Sequence, residues 1–177
     1  FQPASPGNEN PESSIYNRLS MPQLSQQRGF FNNPINLAMS HSDPNAIIRY
    51  TLDGNSPDTS SAIYSTPITI DSNSVLKVRA FKNGILPSHI VTSSYFINEA
   101  TQLPVVSLST DPANFFSDTS GIYVAGTNGI IGNCSTEPRN WNQEWERPIE
   151  IELFEKNRIT GFNVSAGVQI YGGCSRL

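Results

Sequence analysis

Five glutamates crowd residues 144–155: Glu144, Glu146, Glu150, Glu152 and Glu155. Paired carboxylates are the groups that hydrolyse glycosidic bonds. Glu150 and Glu152, however, alternate with Ile149, Ile151 and Leu153, as in a strand with one face in water, so structural support is expected of both. A second chemistry sits at Gly172-Gly173-Cys174-Ser175-Arg176. Backbone N–H groups at Gly172, Gly173 and Ser175 could approach a phosphate, with Arg176 adding charge. The same glycines equally suit a tight bend at a strand end. Trp141 and Trp145 offer a third, because aromatic faces stack on the apolar faces of sugars. They also suit packing in a core or loop, with Arg147 stacked nearby.

The remaining candidates are weaker. Asp53, Asn55 and Asp58 hint at a calcium loop, but Tyr64 stands where the EF-hand pattern needs a bidentate glutamate. His41 and His89 are isolated in sequence; a Ser-His-Asp triad stays open, although no serine sits in a nucleophile-elbow motif. Gly126-x-x-Gly129-x-x-Gly132 matches neither phosphate-loop pattern. Cys134 and Cys174 are the two cysteines of the chain. They read as a disulfide or as two buried thiols, and neither has a Cys or His neighbour at metal-ligand spacing. No catalytic residue and no metal site are assigned. Asn133-Cys134-Ser135 and Asn163-Val164-Ser165 fit the glycosylation sequon.

The elements that must position these groups are strands. The 177 residues carry 13 prolines, 12 glycines and a net charge of −4. Many turns, short strands and little helix follow, so the fold is expected to be mainly β. An acidic chain offers no field for a nucleic acid backbone. No apolar run reaches membrane-spanning length. The opening Phe-Gln-Pro-Ala-Ser-Pro-Gly has no charged leader and apolar core, so no signal peptide is expected in it.

Residues 1–20 read as an extended arm or linker. A helical turn between Asn17 and Gln27 is interrupted by Pro22. Strands are expected at 35–39, at 47–52 ending in the Asp53-Gly54 turn, at 67–70, at 75–81 and at 90–97, with Asn83-Gly84 as a hairpin tip. Residues 98–102 form a polar hinge. Beyond it come a strand at 105–108, a helical turn with Asp111 as N-cap and Pro112 at its first position, a strand at 121–124, and two longer strands at 149–154 and 162–171.

Two resemblances cover most of this. Tyr50-Thr51-Leu52-Asp53-Gly54-x-x-Pro57, Tyr64-x-x-Pro67-Ile68-x-Ile70, Leu76-Lys77-Val78-Arg79-Ala80-Phe81 and Gly84-x-x-Pro87-Ser88 resemble the chitobiase/β-hexosaminidase C-terminal domain. The related domain associated with fibronectin type III modules fits the same blocks. The resemblance spans 21–98 and implies an immunoglobulin-like sandwich, appended to secreted enzymes and surface proteins, without catalytic residues.

Residues 102–177 resemble the opening of the CotH (spore coat protein H) kinase-like domain. The residues that carry it are Leu103 to Asp111, Gly121 to Val124, Asn140-Trp141, Trp145-Glu146-Arg147-Pro148 running into Ile149 to Phe154, and Gly167 to Arg176. Members are atypical protein kinases or surface proteins, and the resemblance sets a family glutamate near Glu152. The family's lysine-containing stretch and nucleotide-binding acids lie beyond Leu177, so this part reads as truncated. No cofactor is expected in it, although a full-length parent would use Mg-ATP. Together these features describe an accessory, interaction or spacer region of an extracellular or cell-surface protein. The implied partners are a polysaccharide or another surface protein. A kinase fragment and a carbohydrate-binding module are the alternatives.

Overall fold

A computed structural model describes residues 17–172. The chain is mainly β. Its first nine strands are β1 (Gln23–Leu24), β2 (Gly29–Phe31), β3 (Ile35–Leu37), β4 (Met39–Ser40), β5 (Ile47–Thr51), β6 (Ala62–Ile63), β7 (Ile68–Ile70), β8 (Ser74–Phe81) and β9 (Val91–Ile97). They form a five-stranded sheet in the order β2-β9-β8-β5-β6, faced by the short pairs β3-β7 and β1-β4. The β2–β9 pairing is parallel, and the other pairs in this sheet are antiparallel.

Between these layers lies one core of Leu37, Met39, Ile48, Ile70, Leu76, Val78, Tyr95 and Ile97. The alternation at 75–81 makes it, because Leu76, Val78 and Ala80 point inward together and all three are buried. The arrangement is that of a β-sandwich. Asn17 to Leu19, the end of the expected arm, lie docked against Leu86 through two backbone hydrogen bonds of 3.0 and 3.1 Å. No helix forms between Asn17 and Gln27; β1 occupies part of that stretch.

Tyr95 sits at the centre of the core, with its hydroxyl donating to the Gln26 carbonyl at 3.0 Å. Burial raises its pKa to about 12 from 10.0. The unfolded chain therefore ionises this phenol first, and the stability it contributes is fully present below pH 10 and lost as pH rises toward 12. Denaturant melts across that window should decline less steeply for Tyr95→Phe than for the native chain.

The second half holds β10 (Val105–Ser109), the single-turn helix α1 (Pro112–Phe116), the small hairpin β11 (Ile130–Ile131) and β12 (Pro138–Arg139), then β13 (Arg147–Phe154) and β14 (Thr160–Val168). Strands β10, β13 and β14 make a three-stranded antiparallel sheet with β13 central. Residues 121–124 are not a strand. They fold back on α1, where the N–H groups of Ile122 and Tyr123 donate to the carbonyls of Asn114 and Phe115. The last strand ends at Val168 rather than at Tyr171. Asp111 is the N-cap of α1 and Pro112 opens the helix, yet the Asp111 side chain makes no capping bond.

The two sheets stack face to face, and the register decides which residues meet. On the three-stranded sheet, Val106, Leu153 and Phe162 align across the strands, as do Leu108, Ile151 and Val164. The opposite face carries Ser107, Ser109, Glu150, Glu152, Asn163 and Ser165. It is this polar face that packs on the five-stranded sheet. Val106, Leu108, Phe162 and Val164 are left exposed. The expected orientation of Glu152 is therefore reversed: the carboxylate points inward and is 0% exposed.

Candidate functional site

Glu152 reaches across the seam between the sheets. Its Oε1 accepts from Arg28 Nη1 at 2.7 Å and from the Ser94 backbone N–H at 3.3 Å. Its Oε2 accepts from the Ser94 hydroxyl. That hydroxyl has one proton and gives it to the carboxylate, so its 2.6 Å contact with Ser107 Oγ must be one it accepts. A buried carboxylate with three donors is the satisfied form of an otherwise costly group. Beside it Phe30, Phe96 and Phe154 form an aromatic cluster. Phe30 and Phe96 stack at 4.7 Å, and Phe154 meets both edge-on at 5.7 and 5.4 Å. The residues expected to act as a polar hinge thus join two bodies already fastened by charge and by rings.

Farther along the seam lies Lys77, on the outer face of β8 and only 4% exposed. Its Nζ donates to Asp111 Oδ1 at 3.2 Å, and the same oxygen accepts from Ser56 Oγ at 2.8 Å. This explains the uncapped helix: Asp111 is turned away from α1 toward the sandwich. Three cavities follow the seam. One of about 620 Å³ runs past Arg28, His89 and Glu150. One of about 220 Å³ holds Lys77, Asp111 and Thr92. The third, of about 360 Å³, is flanked by Asp53, Leu108, Phe115 and Phe116. The first two share Ile90, Thr92, Glu150 and Ser165, and the last two share Ser109 and Thr110.

Ser109 Oγ is buried without a hydrogen-bond partner. A hydroxyl shut away from water in this manner costs stability. Ser109→Ala should raise the unfolding free energy by about 1 kcal/mol, read as a higher urea midpoint at unchanged slope.

The two tryptophans stand in the segment that leads into β13. Arg147 lies over the Trp145 ring, 4.8 Å from its centroid, while donating to the Ser120 carbonyl. Trp141 stands in the 3₁₀ turn Asn140–Asn142 and is half-buried. Asn140, read in the sequence only as part of a family block, is fully buried and staples the preceding loop. It donates to the carbonyls of Asp118 and Gly121, and accepts from the Asn128 N–H. The glycine spacing gave the signal for it. A Cβ at Gly126 would fall 2.0 Å from the Asn140 amide, and one at Gly132 would fall 2.6 Å from that of Asn142.

His41 does meet a serine, but with the wrong tautomer for catalysis. The Asp43 N–H donates to its Nδ1 at 3.0 Å, which leaves the ring proton on Nε2, bonded to the Ser20 carbonyl at 2.9 Å. Nε2 therefore has no lone pair for the Ser20 hydroxyl proton. The Asp43 carboxylate is engaged by Lys82 at 2.5 Å. Asp53 binds Asn55, and Asp58 accepts from Ser60 and Ser61, bonds that hold the Asp58 carboxyl down at about 2. Among the described residues no group of three or more His, Cys, Asp or Glu is placed to hold a metal ion.

Gly172 has φ +137°, a conformation that suits glycine. Gly173, Cys174, Ser175 and Arg176 lie outside the described residues. No free cysteine occurs among the described residues. No described helix is long and apolar enough to cross a membrane.

The model of the family described as the chitobiase/beta-hexosaminidase C-terminal domain matches residues 26–93. That stretch runs from just before β2 into β9, so it covers most of the sandwich and ends short of the second sheet. No curated protein and no solved structure matches the chain.

Proposed function

We propose that this chain is a non-catalytic accessory region of a secreted or cell-surface protein. In this reading a sandwich (21–98) and a second β unit (102–177) are held as one rigid body that engages a polysaccharide or another surface protein. The observation that carries it is the Glu152 contact to Arg28 and Ser94, closed off by the Phe30–Phe96–Phe154 cluster. A spacer transmits position only if its parts do not swivel, and a satisfied buried charge resists swivelling. The match of 26–93 to a domain found in carbohydrate-active proteins supports the accessory role.

Differential scanning calorimetry tests the rigid body. One cooperative transition, with calorimetric and van't Hoff enthalpies equal, is the expected result. Two separate transitions would overturn it. A Cys134–Cys174 disulfide belongs to the same proposal. Closing a loop of about forty residues contributes roughly 4 kcal/mol in the chain-entropy model, so reduction should lower the melting temperature and expose two maleimide-reactive thiols.

The second reading, a fragment of a CotH-type kinase, is favoured by the open apolar face of the β10-β13-β14 sheet. A sheet face of this kind normally lies under another layer. Mg-ATP at a hundred times its dissociation constant would add about 2.7 kcal/mol of stability. A clear thermal shift, abolished by Arg176→Ala, would move the assignment to that reading.

A further inference from the structure

We propose that the seam binds a neutral oligosaccharide, with one ring seated against Lys77 and Asp111 and the next laid on the aromatic ledge of Phe116. The proposal rests on the accessory reading, of which it names the partner class and the site.

Lys77 and Asp111 form the polar end. The ammonium has three donors and gives one to Asp111; among the described residues no other hydrogen bond to it is found. Asp111 spends Oδ1 on Lys77 and Ser56 and keeps Oδ2 for another donor, with its side chain 37% exposed. The two charges cancel, so neither an anion nor a cation gains from the pair. A molecule that offers a donor and an acceptor on adjacent atoms gains from both. Vicinal hydroxyls do this, one donating to Asp111 and its neighbour accepting from Lys77, each as a charge-assisted hydrogen bond.

Size narrows the class. The Lys77 cavity, about 220 Å³, falls below the roughly 300 Å³ at which drug-sized pockets begin, so it suits a single ring. The adjoining cavity of about 360 Å³ is different in kind. One wall of it is Phe115 and Phe116, and these rings make a three-ring cluster with Tyr123 at centroid distances of 5.9 to 6.5 Å. Phe116 is 61% exposed and Tyr123 68%. Rings supported from behind and open to water fit the apolar face of a pyranose. Asp53 and Asn73 also line this cavity, each held by bonds of its own: Asp53 accepts from Asn55, while Asn73 donates to Glu99 and accepts from the Ile97 N–H. The cavities meet at Ser109 and Thr110, which sets the two ring positions side by side.

The test is an NMR titration of the ¹⁵N-labelled chain with chitotetraose and, separately, cellotetraose. At least one should shift the amides of Lys77 and of residues 110–116 at millimolar concentration. Asp111→Asn keeps the acceptor for Lys77 and should weaken binding about tenfold through the lost charge. Phe116→Ala, on an exposed ring, should weaken it several-fold. Each variant's melting curve shows whether it is folded. Shifts centred on Trp141 and Trp145, or unchanged affinity in both folded variants, would overturn the site and leave a polysaccharide as partner. No shift with either sugar would overturn the binding itself, while the single calorimetric transition would still stand.

Discussion

Glu152→Ala is expected to lower the unfolding free energy by about 3–5 kcal/mol, the range for removing one partner of a buried ion pair. The size follows from what is left behind. Arg28 loses its carboxylate in a largely buried setting, and the Ser94 N–H and hydroxyl lose their acceptor. Urea unfolding followed by circular dichroism measures it. The double variant Glu152→Ala/Arg28→Ala should lose less than the sum of the single losses, because the second change removes the stranded charge. A strictly additive double variant would show that the pair is not coupled. Replacing the whole contact with apolar residues of similar volume is the informative control, since buried pairs redesigned in this manner are often no less stable.

Phe154→Ala is the second large effect, also about 3–5 kcal/mol, as for a buried aromatic truncated to a methyl group. Phe154 is fully buried and meets one ring from β2 and one from β9, so its removal opens a void between the sheets. Both tryptophans lie in the second half. Their fluorescence therefore reports that half, while circular dichroism reports all the strands. The two probes should give one midpoint in the native chain. If the seam is the fastening, they separate in Phe154→Ala, with the fluorescence change first. Coincident midpoints near the native value would mean that the cluster contributes little.

The sandwich was legible because its strands obey one rule. Ile48 and Tyr50, Leu76 and Val78, and Tyr95 and Ile97 alternate toward a single core, with turns at Asp53-Gly54 and Asn83-Gly84 where the pattern breaks. The second half obeys the same rule with the faces exchanged. Alternation at 149–154 announces two faces but not which is inward, and a glutamate among isoleucines argues for water by default. What reverses the choice is Arg28, more than a hundred residues earlier, and no local pattern carries that information. Phe30 was legible only as the entry to the first domain, since its partners Phe96 and Phe154 are equally remote. Residues 121–124 misled for a different reason. A run of four apolar and aromatic residues looks like a strand, but its N–H groups were claimed by the end of α1. Of the candidate site, Asp111 was visible as a helix cap, and its diversion to Lys77 required the fold.

The buried carboxylate also works as a ruler. Side chains on β13 alternate, so sliding that strand by one residue would bring Ile151 or Leu153 to Arg28 and Ser94 and turn Glu152 out among Val106 and Phe162. The Glu152–Arg28 pair matches one alignment of β13, so it fixes how this strand sits against the sandwich.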